Sequence, residues 1–268
     1  MDCFDRYQWA LNNTRIIMAH GGPGLGKTHT AYHDSLKGRE LFAMTLGEES
    51  SATELRGHFI SKGAEGTVWH DGPATRAARA QGRFVINEIS HAGPDVQGLL
   101  YALCEEPSTA RLTLPTGETV EVGEEFQLIL TDNHEPDAAL SPAMLDRIEA
   151  FVRIDKPHPA ALLTVSEPLR KYAENAISQG ISGLRAWQHL TNHLAKGLDG
   201  DVAQELAFGK PDEVLATLIQ AALVEYRDTA AEEAVDRHDT EDLDEVSEPP
   251  LTVEAAPPNA PKYDGVPF

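Results

Sequence analysis

Apolar positions in this chain gather in short runs. "TRIIMAH" (14–20), "ELFAMTL" (40–46), "RFVINEI" (83–89), "FQLILT" (126–131) and "EAFVRI" (149–154) are β-prone, and helical or loop segments separate them. That alternation predicts an α/β fold: a five-stranded, mainly parallel sheet flanked by helices. "ARLTLPTGETVEV" (110–122) alternates about a Thr-Gly turn and predicts a β-hairpin inserted before the fourth core strand. "GHFISKGAEGTVWHDG" (57–72) predicts a second small hairpin, and "PATRAARAQ" after it a helix opened by proline. Beyond about Pro157 the strands stop. "HPAALLTVSEPLRKYAENAI", "SGLRAWQHLTNHLAKG" and "PDEVLATLIQAALVEYRD" space their apolar residues by three and four, the period of helices burying one face. The expected division is an α/β domain over 1–156 and a small all-helical domain over 157–228.

Charge adds a third segment. The 268 residues carry 22 basic and 43 acidic side chains, a formal net charge of −21. From Asp228 onward there are twelve acids against two bases, Arg237 and Lys262, and the stretch "EVSEPPLTVEAAPPNAPKYDGVPF" is rich in proline. Such a composition buries too little apolar surface to order itself, so 229–268 is expected to be a disordered acidic tail. So acidic a surface repels a phosphate backbone and argues against general duplex binding. Two cysteines, Cys3 and Cys104, cannot make a disulfide framework and suit a reducing compartment. No apolar run reaches the length of a membrane span, and "MDCFDRYQWALNN" lacks the layout of a signal peptide, so a soluble cytoplasmic protein is expected.

The candidate chemistry begins at "GGPGLGKT" (21–28), which fits G-x-x-x-x-G-K-[ST]. Gly21, Gly22, Pro23, Gly24, Leu25 and Gly26 let the backbone curl so that successive N–H groups face phosphate oxygens. Lys27 is placed to reach the β- and γ-phosphates and Thr28 to put its hydroxyl on Mg2+, with His29 next along the helix. The motif follows a β run and opens a helix, the context that supports a phosphate-binding assignment over a glycine-rich turn. About sixty residues on, "RFVINEI" ends in a carboxylate, as a neighbouring strand completing such a site would. Glu88 suits a general base that polarises water. Asn87 stands where an aspartate would accept hydrogen bonds from magnesium-bound water, and its amide oxygen accepts without bringing negative charge. From these residues alone the strand suits a working site with one altered ligand, a site that binds without turnover, or a structural strand ending in a surface glutamate.

Taken in order, these pieces resemble the MoxR branch of the AAA+ ATPases, close to its dynein-related subgroup, over about 14–197. "GGPGLGKT" resembles the Walker A loop and "FVINEI" the Walker B strand. Residues 53–82 resemble the helix-2 insert of this branch, and 104–133 its pre-sensor-1 hairpin and fourth core strand. The resemblance implies a sensor-1 role for Asn133, an arginine finger at Arg147 within "LSPAMLDRIEAFVRI", and a sensor-2 role for Arg185 within "ISGLRAWQHL". The residues alone also allow Arg147 an internal salt bridge with Asp146 or a nearby acid, and Arg185 a solvated place at a helix end. Two departures stand out: Asn87 in place of aspartate, and a short segment before the phosphate loop where the adenine is usually covered.

The resemblance implies an ATPase using ATP and Mg2+, assembled as a homo-oligomeric ring, expected to be a hexamer, that remodels a protein partner. It also implies a partner of the kind that bears a von Willebrand factor A domain. Two other functions fit the sequence: an ATP-gated scaffold in which Asn87 leaves hydrolysis negligible, and a nucleic-acid motor using the 110–122 hairpin. Arg111 is the lone base in that hairpin, which argues against the motor. His189 and His193 lie one helical turn apart with no third ligand in view and suit a polar helix face better than a metal pair. Cys104 reads as a core residue and Trp69 as packing for its hairpin.

Overall fold

The computed structural model describes residues 1–63 and 66–241, with backbone alone over 232–241. Helix α1 (Cys3–Asn13) starts with a reciprocal cap: Asp5 N donates to Asp2 Oδ1 at 2.8 Å and Asp2 N to Asp5 Oδ2 at 3.0 Å. Then follow β1 (Ile16–His20), α2 (Lys27–His33), β2 (Leu41–Thr45), α3 (Ala52–Arg56), β3 (Gly57–Ser61), β4 (Thr67–Asp71), α4 (Pro73–Ala80) and β5 (Arg83–Asn87). The chain continues through α5 (Pro94–Cys104), β6 (Arg111–Thr113), β7 (Thr119–Glu121), β8 (Gln127–Asp132), α6 (Pro136–Ala139), α7 (Pro142–Leu145) and β9 (Ala150–Arg153). Helices α8 (Pro159–Leu162), α9 (Glu167–Ser178), α10 (Leu184–Ala195), α11 (Gly200–Phe208) and α12 (Glu213–Glu241) are the last elements among the described residues.

The five core strands lie in the order β2-β5-β8-β1-β9, and every pairing among them is parallel. Burial follows position. Every residue of β1, β5 and β8 is buried, as expected of strands covered on both faces, whereas the edge strands β2 and β9 are partly exposed. The strand ending at Asn87 is not a direct neighbour of β1, as its sequence spacing suggested. Strand β8 lies between them as the middle strand of the five, pairs with both, and is buried along all six residues.

Both predicted hairpins form, as β3–β4 and β6–β7. In the first, Trp69 meets the Phe59 ring edge-on at 5.1 Å and donates Nε1 to Asp71 Oδ1 at 2.6 Å. Arg111 pairs with Glu121 at 3.7 Å within the second. Helix α5 buries Val96, Leu99, Leu100, Leu103 and Cys104, and burial pushes the Cys104 thiol up to about 12.

After β9 only helices follow among the described residues. Residues Met1–Tyr226 form one compact unit, so the change from strands to helices falls inside it. A single apolar cluster includes Ile17 and Val152 of the sheet together with Leu169, Trp187, Leu190 and Ile219 of the later helices. The backbone of α12 continues to Glu241, past the expected boundary at 228. Ala230, Ala231, Glu232, Glu233 and Ala234 favour a helix, and no glycine or proline interrupts the chain before Pro249. The rest of the expected acidic tail, 242–268, lies outside the described residues. Among the described residues no helix is long and apolar enough to cross a membrane.

Candidate functional site

The loop from β1 to α2 cannot be built from ordinary residues. Gly21, Gly24 and Gly26 all have positive φ, at 137°, 74° and 105°. A Cβ on Gly21 would lie 2.1 Å from the Ile154 carbonyl oxygen, and one on Gly26 would lie 2.6 Å from His158 Cβ. The chain therefore wraps tightly against the segment after β9, where His158 N donates to the Leu25 carbonyl at 2.9 Å. Leu25 turns its side chain into the core. Beside it, His29 lies 5.3 Å from the His158 ring, which Phe4 of α1 meets edge-on at 4.8 Å.

The parallel sheet brings the C-terminal ends of β1, β5 and β8 to one edge, and three predicted residues meet there. Lys27 Nζ donates to the carbonyls of Gly21 and Gly22 at 2.8 Å each and to Asn133 Oδ1 at 2.9 Å. Asn133 Nδ2 in turn donates to both Glu88 carboxylate oxygens at 3.1 Å. One amide thus links the ammonium to the carboxylate, which it can do because β8 stands between β1 and β5. Burial pushes the Lys27 ammonium down to about 8, against the pull of Glu88 and Asp132. Glu88 itself is held in the left-handed region, φ 58° and ψ 52°, a backbone state that costs a non-glycine residue about 1–2 kcal/mol. The conformation is imposed by the abrupt turn from β5 into the short helical turn at Ile89–His91.

Asn87 is buried under the loop. Its Oδ1 accepts the hydroxyls of Thr28 at 2.8 Å and Thr131 at 2.9 Å, and its Nδ2 donates to the Tyr32 hydroxyl at 2.9 Å. A cavity of about 370 Å³ opens over these groups. It is lined by Pro23, Gly24, Gly26, Lys27, Thr28 and His29 of the loop, Glu88, Thr131 and Asn133 of the sheet edge, and Ala161, Leu184, Arg185 and Gln188 of the helices. Arg185 sits in the first turn of α10, exposed, with no hydrogen bond or ion pair among the described residues.

Arg147 lies elsewhere. It is in a second cavity with Arg15, Cys104 and Glu149, where it donates to Glu105 Oε1 at 2.8 Å and stands over the Tyr101 ring at 5.2 Å. The acid it pairs with is Glu105 rather than Asp146.

Several contributors were not singled out in the sequence. Tyr32 falls four residues after Thr28, on the same helical face. Thr131 and Asp132 close β8, and Asp132 accepts the N–H groups of Ser90 at 2.6 Å and His134 at 2.9 Å. Burial alone would raise its carboxyl, but these donors outweigh it and hold Asp132 below the usual carboxylate range. Arg83, fully buried, donates to Gln127 Oε1 at 2.8 Å and to the carbonyls of Ala31, Asp34 and Ser35 at the end of α2, anchoring the phosphate-loop helix from behind. A lone cation opening an otherwise apolar strand was its one signal.

Residues 16–148 match the AAA domain (dynein-related subfamily). The chain is 32% identical over 160 residues to Protein NorQ of Paracoccus denitrificans, covering 58% of this chain and 57% of that protein. It is 29% identical over 163 residues to Protein CbbQ of Hydrogenophilus thermoluteolus, covering 59% of each. The matched region thus spans under three-fifths of these relatives' length. NtrX from Brucella abortus, solved in complex with ADP, overlays 81% of this chain with 52% of its own at 17% identity and a TM-score of 0.48. By the match over 16–148 and the parallel sheet that carries the glycine loop, the chain belongs to the AAA+ ATPases, with an AAA domain of the dynein-related subfamily.

Proposed function

We propose that this protein binds and hydrolyses ATP with Mg2+, as an AAA+ protein of the MoxR type. The observation that carries this is the Lys27–Asn133–Glu88 relay over the glycine loop, which places a cation, an amide and a carboxylate along one cavity. The residues fit both groups. The loop is shaped so that a Cβ at Gly21 or Gly26 would collide, the ammonium of Lys27 faces it, and the Thr28 hydroxyl donates inward so that its lone pairs remain. Among the described residues no three His, Cys, Asp or Glu side chains are grouped to hold a metal. Thr28 would hold a bound Mg2+ together with phosphate oxygens, the kind of ligand set that ion takes at nucleotide sites.

Bound Mg2+ supplies positive charge to the phosphate oxygens. The chain's own residues do the rest. Lys27 exchanges the Gly21 and Gly22 carbonyls for phosphate oxygens. Glu88 accepts the proton of the attacking water, and Asn133, already bound to both its oxygens, orients it. Arg185 faces the same cavity from α10, so that nucleotide couples the helices to the sheet, with 157–228 acting as a lid over the α/β domain. Arg147, remote from its own site, suits an arginine supplied to a neighbouring subunit, and hence a ring, expected to be hexameric. Movement of the lid around such a ring remodels a protein partner, in the family's manner one with a von Willebrand factor A domain. The setting proposed is the cytoplasm, where the free buried thiols Cys3 and Cys104 are stable.

Steady-state phosphate release by the wild type, Lys27→Ala and Glu88→Gln tests the enzyme. Release by the wild type that Glu88→Gln abolishes is expected; equal rates in the two would overturn it. The uncharged Asn87 favours one other function, an ATP-gated scaffold, for which ring assembly with ATP and no release would be the sign.

A further inference from the structure

Asn87 is only 6% exposed, and both ends of its carboxamide are engaged. An amide oxygen offers two lone pairs, and the Thr28 and Thr131 hydroxyls occupy both. Nothing of that oxygen is left for the water shell of a cation. The amide nitrogen donates to Tyr32 OH at 2.9 Å and, at the longer distance of 3.5 Å, to Thr45 Oγ1.

The two ends are not interchangeable. Were the amide turned over, its NH2 would face Thr28, whose hydroxyl would then have to accept and so point a lone pair back at Asn87. In the observed orientation Thr28 donates, and its lone pairs point away into the cavity. At the nitrogen end of the amide, Tyr32 is the nearer partner. It stands one helical turn after Thr28, so α2 carries both the hydroxyl that is aimed and the hydroxyl that sets the aim.

We propose that Tyr32 and Asn87 are a positioning pair that directs the Thr28 hydroxyl at the nucleotide-bound cation, a role that presupposes the ATP–Mg2+ site above. Asn87 acts through Thr28 and takes no place in the cation's own shell. A carboxylate at 87 has two like oxygens and needs no partner to orient it; an amide does. Tyr32 is the partner that makes asparagine serviceable here.

The test is binding of a fluorescent ATP analogue to the full chain, titrated with Mg2+ and repeated in EDTA, for the wild type, Tyr32→Phe, Asn87→Asp and the double variant. Tyr32→Phe is expected to leave binding in EDTA within about twofold and to raise the Mg2+ midpoint about three- to tenfold, the range for one neutral hydrogen bond. In the Asn87→Asp background the same change is expected to move the midpoint less than about twofold. An unchanged midpoint in Tyr32→Phe, an equal shift in both backgrounds, or an equal loss in EDTA would overturn the pair. If Tyr32→Phe does not fold, Asn87→Leu is expected to raise the midpoint at least as far, and an unchanged midpoint there is equally fatal. No binding by the wild type with or without Mg2+ overturns the nucleotide site itself, a result distinct from binding that ignores Tyr32.

Discussion

The Asn133 amide nitrogen lies 3.1 Å from each carboxylate oxygen of Glu88, although 45 residues separate the two. The contact exists because β8 is laid between β1 and β5, so that a residue just past its end hangs over the turn that follows Asn87. Removing the amide leaves Glu88 free to rotate while the phosphate loop stays intact. Asn133→Ala is therefore expected to lower kcat by about 10–100-fold, part of the 10²–10⁴ that a positioned base contributes, with ATP affinity nearly unchanged. Glu88→Gln should lose the full factor. Paired measurement of phosphate release and nucleotide affinity checks both.

Lys27 sets a pH dependence of opposite sign for binding and for folding. Its ammonium sits at about 8 in the folded chain, below the ordinary 10.5, because it is buried. The folded protein therefore releases this proton first. The group's contribution to stability is least favourable below pH 8 and improves as the pH rises from there towards 10.5. Phosphate needs the ammonium, so ATP affinity should instead fall above pH 8, by up to about tenfold per unit. Affinity measured from pH 7 to 9.5, with Lys27→Ala as the flat control, checks the sign.

Arg147 is tethered by Glu105 in the second cavity and takes no part in lining the one over the glycine loop. Arg147→Ala should leave folding near wild type, since the pair is partly exposed, and lower turnover by about 10³–10⁵ if the guanidinium acts on a neighbour's nucleotide. Mixing Arg147→Ala subunits with Glu88→Gln subunits should then restore part of the activity, because some interfaces join an intact site to an intact arginine. Two inactive variants that stay inactive when mixed would argue for action within one subunit.

Arg83 makes the largest stability prediction. Its guanidinium, pulled down to about 10 by burial, serves three carbonyls at the end of α2 as well as Gln127. Arg83→Ala strands all four acceptors and should cost about 3–5 kcal/mol in urea unfolding. Nucleotide affinity should fall with it, because α2 carries Lys27 and Thr28.

What the amino-acid order determined by itself is local. The five strands, both hairpins and the glycine loop could be read directly, because β runs, hairpin turns and positive-φ glycines depend on a few consecutive residues. The end of α12 lies beyond the expected boundary at 228 because the first part of the acidic, proline-bearing stretch still favours a helix. What the tertiary structure alone decided is who meets whom at the sheet's edge. Strand order put Asn133 between Lys27 and Glu88, closed Asn87 among Thr28, Tyr32 and Thr131, and set Arg83 behind α2. Each of these contacts spans 44 to 106 residues. The physical reason is that such contacts follow from which buried strands pack side by side, a choice made by the whole core and written in no single segment.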